Sequence, residues 1–175
     1  DQTLLLGKRV AFANENRADV FVSIHVNWME LREIRPLETY YVGPSEDPAI
    51  LELATSENHD SGYSMADYRR LLEKTYLDAR RHESHLLAKA VNANLFQSLK
   101  TVNPELENRG VKMAPFVVLL GTQMPAILVE VSALSNEEEV NLLTNGDYRG
   151  KIALALYNGI HAYAKSLNGA DRKGS

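Results

Sequence analysis

The segment that most constrains the fold of this 175-residue chain is Ala126-Ile127-Leu128-Val129-Glu130-Val131. It is a near-continuous apolar run with one carboxylate inside it. Such runs suit strands buried on both faces, which is the habit of parallel sheets covered by helices on each side. A second run, Phe116–Leu120, precedes it across Gly121-Thr122-Gln123-Met124-Pro125 and reads as a neighbouring strand. Upstream, Ala18-Asp19-Val20-Phe21-Val22-Ser23-Ile24 reads as a buried strand ending at His25, and Thr39–Val42 as a short β-rich segment bounded by Pro36 and Gly43-Pro44. Helical spacing links these runs. Leu5, Leu6, Arg9, Val10, Ala13 and Asn14 form one stripe, and Asp47-Pro48 opens a helix to about Asn58.

The stretch Met65–Lys100 reads as two helices joined near His82–Ser84, followed by a loop over Thr101–Gly110. Ser135 and Glu138 have the spacing of a capping box, and Asp147 is placed to cap a last helix to about Ser166. Strands alternating with helices imply an α/β fold, a mainly parallel open sheet flanked by helices on both faces, because parallel strands need crossover connections. Residues 1–167 are expected to form one domain and 168–175 a polar tail. In such sheets ligands gather at the carboxyl ends of strands.

Two residues stand at those ends. His25 closes its run, where an ordinary reading is a hydrogen-bonded histidine. Glu130 is more informative, since burying an ionised carboxylate costs several kcal/mol unless it is paired, hydrogen-bonded or neutralised. It reads either as a structural ion-pair partner, with Arg109 or Lys112 as the cation, or as a carboxylate working beside a metal. The chain has no cysteine, so a metal must rest on His, Asp or Glu. His82 and His85 share a helix face among Arg80, Arg81 and Glu83, and His59 and His161 lie in polar settings; all four read as surface residues. A net charge of -4 speaks against a nucleic-acid partner, which would call for a basic face. No apolar run approaches the roughly 18 residues of a spanning helix, and residues 1–10 do not have the form of an export signal.

The order of these motifs resembles the zinc-dependent N-acetylmuramoyl-L-alanine amidases. Arg9 to Asn14 followed by Ala18 to Asn27 is similar to that family's R-x-x-x-A-N and A-D-x-F-x-S-I-H-x-N segments. Arg109-Gly110-Val111-Lys112, Ala114-Pro115-Phe116, Met124 to Glu130 and Leu134-Ser135-Asn136 with Glu138 and Glu139 resemble its second hallmark, and Glu83-Ser84 with Leu87-Ala88 its middle helix. The resemblance implies that His25 ligates Zn2+ and that Glu130 is the catalytic acid/base. The implied reaction is hydrolysis of the amide between N-acetylmuramic acid and L-alanine in peptidoglycan, in the periplasm or cell wall. An activator protein is an implied partner, and Asn27 an implied orienting residue.

The family's first two zinc ligands, a histidine and a glutamate, lie on a Gly-His-Gly-Gly strand end and the next helix, and neither motif is in this sequence. The resemblance therefore implies a catalytic domain whose first strands and helix are missing, with one of three ligands supplied and no activity alone. An inactive wall-binding scaffold of the same fold is the alternative. Val131-Ser132-Ala133-Leu134 replaces the commoner Gly-Phe-Leu after the glutamate. Some members also carry a long helix that plugs the site; the corresponding interval, Glu57 to Leu77, is short, which implies an unplugged site.

Overall fold

The structure is a computed structural model that describes residues 3–61 and 79–170. Among these residues the elements run α1 (Leu6–Glu15), β1 (Phe21–Asn27), β2 (Pro36–Val42), α2 (Pro48–Glu57), a 3-10 turn (His59–Ser61), α3 (Ala79–Leu99), β3 (Glu107–Ala114), α4 (Val117–Leu120), β4 (Ala126–Ala133), α5 (Glu137–Thr144) and α6 (Gly146–Ala170). The four strands form one open sheet in the order β1-β4-β2-β3. This is the α/β class expected from the alternating apolar runs.

Hydrogen bonds fix direction and register. The Phe21 amide donates to the Pro125 carbonyl at 2.9 Å and the Leu134 amide to the Asn27 carbonyl at 2.7 Å, so β1 and β4 run parallel. The Glu107 amide donates to the Arg35 carbonyl at 2.8 Å and the Gly43 amide to the Ala114 carbonyl at 3.2 Å, which makes β2 and β3 parallel too.

The described residues cluster into two compact units, one of 3–23, 40–61, 79–85 and 112–128, the other of 24–39, 86–111 and 129–170. The first has a core of Leu6, Val10, Tyr40, Val42, Phe116, Leu119 and Leu128, with the Tyr40 and Phe116 rings edge-to-face at 5.3 Å. Two asparagines stitch it. Asn14 donates to the Gly121 carbonyl and accepts from the Gln123 amide, both at 2.9 Å, and so pins the end of α1 to the loop before β4. Asn58 donates to the Pro115 carbonyl at 3.0 Å and accepts from the Val117 amide at 2.8 Å, capping α4. Arg17, at φ 49°, takes the left-handed conformation that turns the chain out of α1.

The second unit packs α3 against α6. Leu87, Val91, Leu95 and Leu99 of α3 and Ile152, Ala155, Leu156 and Tyr163 of α6 are all buried. The helices approach so closely at Gly159 that a Cβ there would stand 2.6 Å from the Val91 Cα. Beneath them lies a polar knot. Glu139, fully buried, accepts from Asn103 Nδ2 and from Ser132 Oγ, each at 2.5 Å, while Arg35 donates to Asn103 Oδ1 at 3.2 Å. Tyr148 joins this knot, its hydroxyl 3.5 Å from Asn103 Nδ2.

Burial pushes the Tyr148 phenol above its ordinary value of 10.0; the Glu139 charge adds to the shift, and the Asn103 hydrogen bond and Arg35 charge oppose it. Above pH 10.0 the unfolded chain therefore gives up this proton before the folded one does. Stability should be indifferent to this group below that pH and fall as pH climbs through the raised value. Melting temperatures at rising alkaline pH, compared between the parent and Tyr148→Phe, test this. A decline no less steep in the variant would remove Tyr148 as its cause.

Several local expectations are corrected. Phe116–Leu120 is not a strand, because Val117–Leu120 closes a short helix capped by Asn58. His25 lies inside β1 rather than after it, and that strand starts at Phe21, not Ala18. α3 passes through His82–Ser84 without a break. The Thr101–Gly110 loop ends early, since β3 begins at Glu107. Asn136, not Ser135, caps α5, accepting from the Glu138 and Glu139 amides, while Ser135 Oγ accepts from the Met29 amide at 3.0 Å. At α6 the Asp147 amide is capped by Asn145 Oδ1 at 2.8 Å, and the helix continues to Ala170. The helix start at Met65 and residues 171–175 of the tail lie outside the described residues.

Candidate metal and catalytic site

The register of β1 and β4 brings the two suspected residues together. In this parallel pair the Phe21 amide bonds to the Pro125 carbonyl at one end and the Leu134 amide to the Asn27 carbonyl at the other, so His25 of β1 runs beside the stretch of β4 that carries Glu130. Glu130 is fully buried and His25 half-buried, so the carboxylate is shielded and the imidazole is reachable.

A third residue joins them. His25, Glu57 and Glu130 each offer one ligand atom, and these atoms all lie within 4.8 Å of one another. Among the described residues this is the group able to hold a metal ion, and the other four histidines take no part. His85 packs its ring on Tyr41 with centroids 5.1 Å apart, His161 stacks on Tyr157 at 5.9 Å, and His59 and His82 are exposed. The surface reading fits His59, His82 and His161, whereas His85 is half-buried.

Glu57 was not singled out from the sequence. It ends a helix whose polar positions look solvated, and a glutamate there carries no burial cost to raise suspicion. The adjacent Asn58, buried and bonded at both ends of its amide, is the reason the helix terminus is fixed. Most of the Glu57–Leu77 interval in which a plugging helix was considered, residues 62–77, lies outside the described residues.

Arg109, one of the two cations considered for Glu130, forms an ion pair with Glu38, Nε to Oε1 at 2.8 Å. Glu38 also accepts from Asn27 Nδ2 at 3.4 Å, and both Glu38 and Asn27 are buried. A separate cavity of about 330 Å³ is lined by Arg35, Asn103, Glu138 and Asn145 among others, with Arg35 ion-paired to Glu138 at its wall. It holds neither His25 nor Glu130.

With this geometry in view, comparison with known proteins is informative. The family profile described as N-acetylmuramoyl-L-alanine amidase matches residues 1–162. The chain is 31% identical over 163 residues to the uncharacterized protein YqiI of Bacillus subtilis, covering 93% of this chain and 60% of that protein. It is 27% identical over 168 residues to the N-acetylmuramoyl-L-alanine amidase AmiA of Salmonella typhimurium, covering 93% of this chain and 58% of that one. The chain thus spans about three-fifths of the length of these relatives. Among solved structures, the CwlD amidase of Clostridioides difficile in complex with the GerS lipoprotein superposes with a TM-score of 0.64 at 26% identity, covering 92% of this chain and 62% of that one. Among the described residues, no helix is long and apolar enough to cross a membrane.

Proposed function

Since this chain belongs to the N-acetylmuramoyl-L-alanine amidase family, we propose that it hydrolyses the amide joining N-acetylmuramic acid to the L-alanine of a peptidoglycan stem peptide, at a zinc centre. The observation that carries this reading is the convergence of His25, Glu57 and Glu130 within 4.8 Å. One imidazole nitrogen and carboxylate oxygens are ordinary donors for zinc, and a chain without cysteine has no thiolate to offer instead. The donor set fits.

In this reading His25 and Glu57 are among the groups that would hold the metal, and Glu130 handles the proton. A bound zinc ion supplies Lewis-acid polarisation of the scissile carbonyl and acidifies water. Glu130, fully buried in the middle of β4, accepts the proton of the attacking water at a carboxylate oxygen. It then returns that proton to the departing amine of L-alanine, so the carboxylate is regenerated. Its burial keeps bulk water from competing for that proton. Residues 1–167 are the part we assign to the catalytic domain. Action on peptidoglycan places the work outside the cytoplasm, and an activator protein is supported by the CwlD relative, which is solved in complex with a lipoprotein.

Zinc content and stem-peptide release from purified peptidoglycan test this together. His25→Ala should lower zinc affinity by at least about tenfold, because few ligands remain and each is a large share of the set. Unchanged zinc affinity in that variant would remove His25 from the metal site. A protein that binds zinc and peptidoglycan yet releases no stem peptide would be the scaffold instead.

A further inference from the structure

A row of three polar side chains crosses the sheet beside the candidate site, and nothing in the proposed chemistry uses it. The Glu107 amide bond to the Arg35 carbonyl sets Arg109 on β3 opposite Glu38 on β2, and the two form their ion pair at 2.8 Å. Asn27 lies two residues beyond His25 on β1 and therefore on the same sheet face. Its Nδ2 donates to Glu38 Oε2 at 3.4 Å. Yet β4 stands between β1 and β2 in the sheet. The link between Asn27 and Glu38 must pass over β4, across roughly two strand spacings of about 4.8 Å each.

What lets it pass is the small size of the residues beneath. The Leu134 amide bond to the Asn27 carbonyl brings the Ser132–Ala133 end of β4 beside Asn27, and both side chains are small enough to be bridged. The Ser132 hydroxyl is itself engaged by Glu139. A leucine or phenylalanine there would fill the space the bridge occupies. Asn27 is also held by its main chain, whose carbonyl accepts from the Leu134 amide at 2.7 Å.

The cost of this row argues that it has a purpose. Glu38 is only 3% exposed, and an apolar residue would pack there with less penalty than a buried carboxylate with its guanidinium partner. In the described sheet β1 is bonded to β4. Its carboxyl end carries His25, whose distance from Glu130 must be kept for the pair to work.

We propose that Arg109–Glu38–Asn27 is a positioning bridge that ties the end of β1 across β4 to β2 and β3, and so fixes the His25 imidazole against Glu130. None of the three touches the reacting atoms; they act through His25. This inference rests on the metal reading for its purpose, but the bridge itself does not depend on a metal.

The test compares the parent chain with Glu38→Gln, Asn27→Ala and the double variant Glu38→Leu/Arg109→Met. The double variant replaces the ion pair by apolar side chains of similar length and should fold even if Glu38→Gln does not. Zinc alone is the first probe, titrated in competition with a chromophoric chelator. Bridge variants should bind it about 10-fold more weakly, the usual effect of losing the group that orients a ligand. Amide exchange of the zinc-free protein is the second readout, with protection expected to fall at residues 24–27 and to persist in β3. A folded double variant with parental zinc affinity and parental exchange at 24–27 overturns the bridge. If the parent binds no zinc, the metal reading fails by itself and the exchange result alone decides for or against the bridge.

Discussion

Glu130→Gln should lower stem-peptide release by about 10²- to 10⁴-fold while leaving zinc binding and the melting temperature close to the parent's. The amide keeps the volume and shape of the carboxylate, so β4 has no reason to repack around it. What it loses is the capacity to take a proton and give it back. The competing account, a purely structural ion pair at this position, forecasts the opposite pattern. Breaking a buried pair from one side costs about 3–5 kcal/mol, because a charge is left stranded. In that account the variant melts early and any loss of turnover follows the loss of fold. Calorimetry and a peptide-release assay on the same preparation separate the two. Parental turnover with zinc bound would end the role given to Glu130.

How legible this was in the sequence depends on what each residue costs to bury. The eight residues Ala126–Ala133 are all buried, and an apolar run bounded by Pro125 announces such a strand. A carboxylate in that run is conspicuous for the same reason. Phe116–Leu120 misled because a short apolar run does not distinguish a buried strand from a turn of buried helix. The deciding interaction, Asn58 capping Val117, comes from far along the chain. β3 was missed altogether because Glu107, Asn108 and Arg109 look like loop, and half-exposed edge strands carry such charges. The family hallmarks singled out His25, but its placement inside β1 beside Glu130 is a matter of strand pairing. Glu57 and Glu38 were invisible as site or core residues, since a glutamate on a helix or a short polar strand is ordinarily solvated, and Glu139 entered only as part of a family hallmark, with nothing to mark it as buried.

Glu139 is where the second large effect is expected. Asn103→Ala should destabilise the protein by about 2–4 kcal/mol, a fall in melting temperature of about 4–16 °C for a chain of this size. Asn103 is 1% exposed, and its amide serves three partners at once. Its nitrogen donates to Glu139 at 2.5 Å and lies 3.5 Å from the Tyr148 hydroxyl, and its oxygen accepts from Arg35 at 3.2 Å. Alanine would leave the fully buried Glu139 carboxylate with the Ser132 hydroxyl as its remaining side-chain donor among these bonds. It would also open a gap that the surrounding helices can close only in part. Ser132→Ala should cost less, since it removes one neutral donor and leaves the amide in place. Adding Glu139→Leu to Asn103→Ala should recover a large part of the loss, because the stranded charge goes with it. That recovery is the decisive measurement. Were the double variant as unstable as the sum of its single changes, cavity formation rather than the buried carboxylate would be the source of the effect. The knot would then matter for its packing alone, and Ser132 would be free to change without disturbing β4, on which Glu130 stands two residues away.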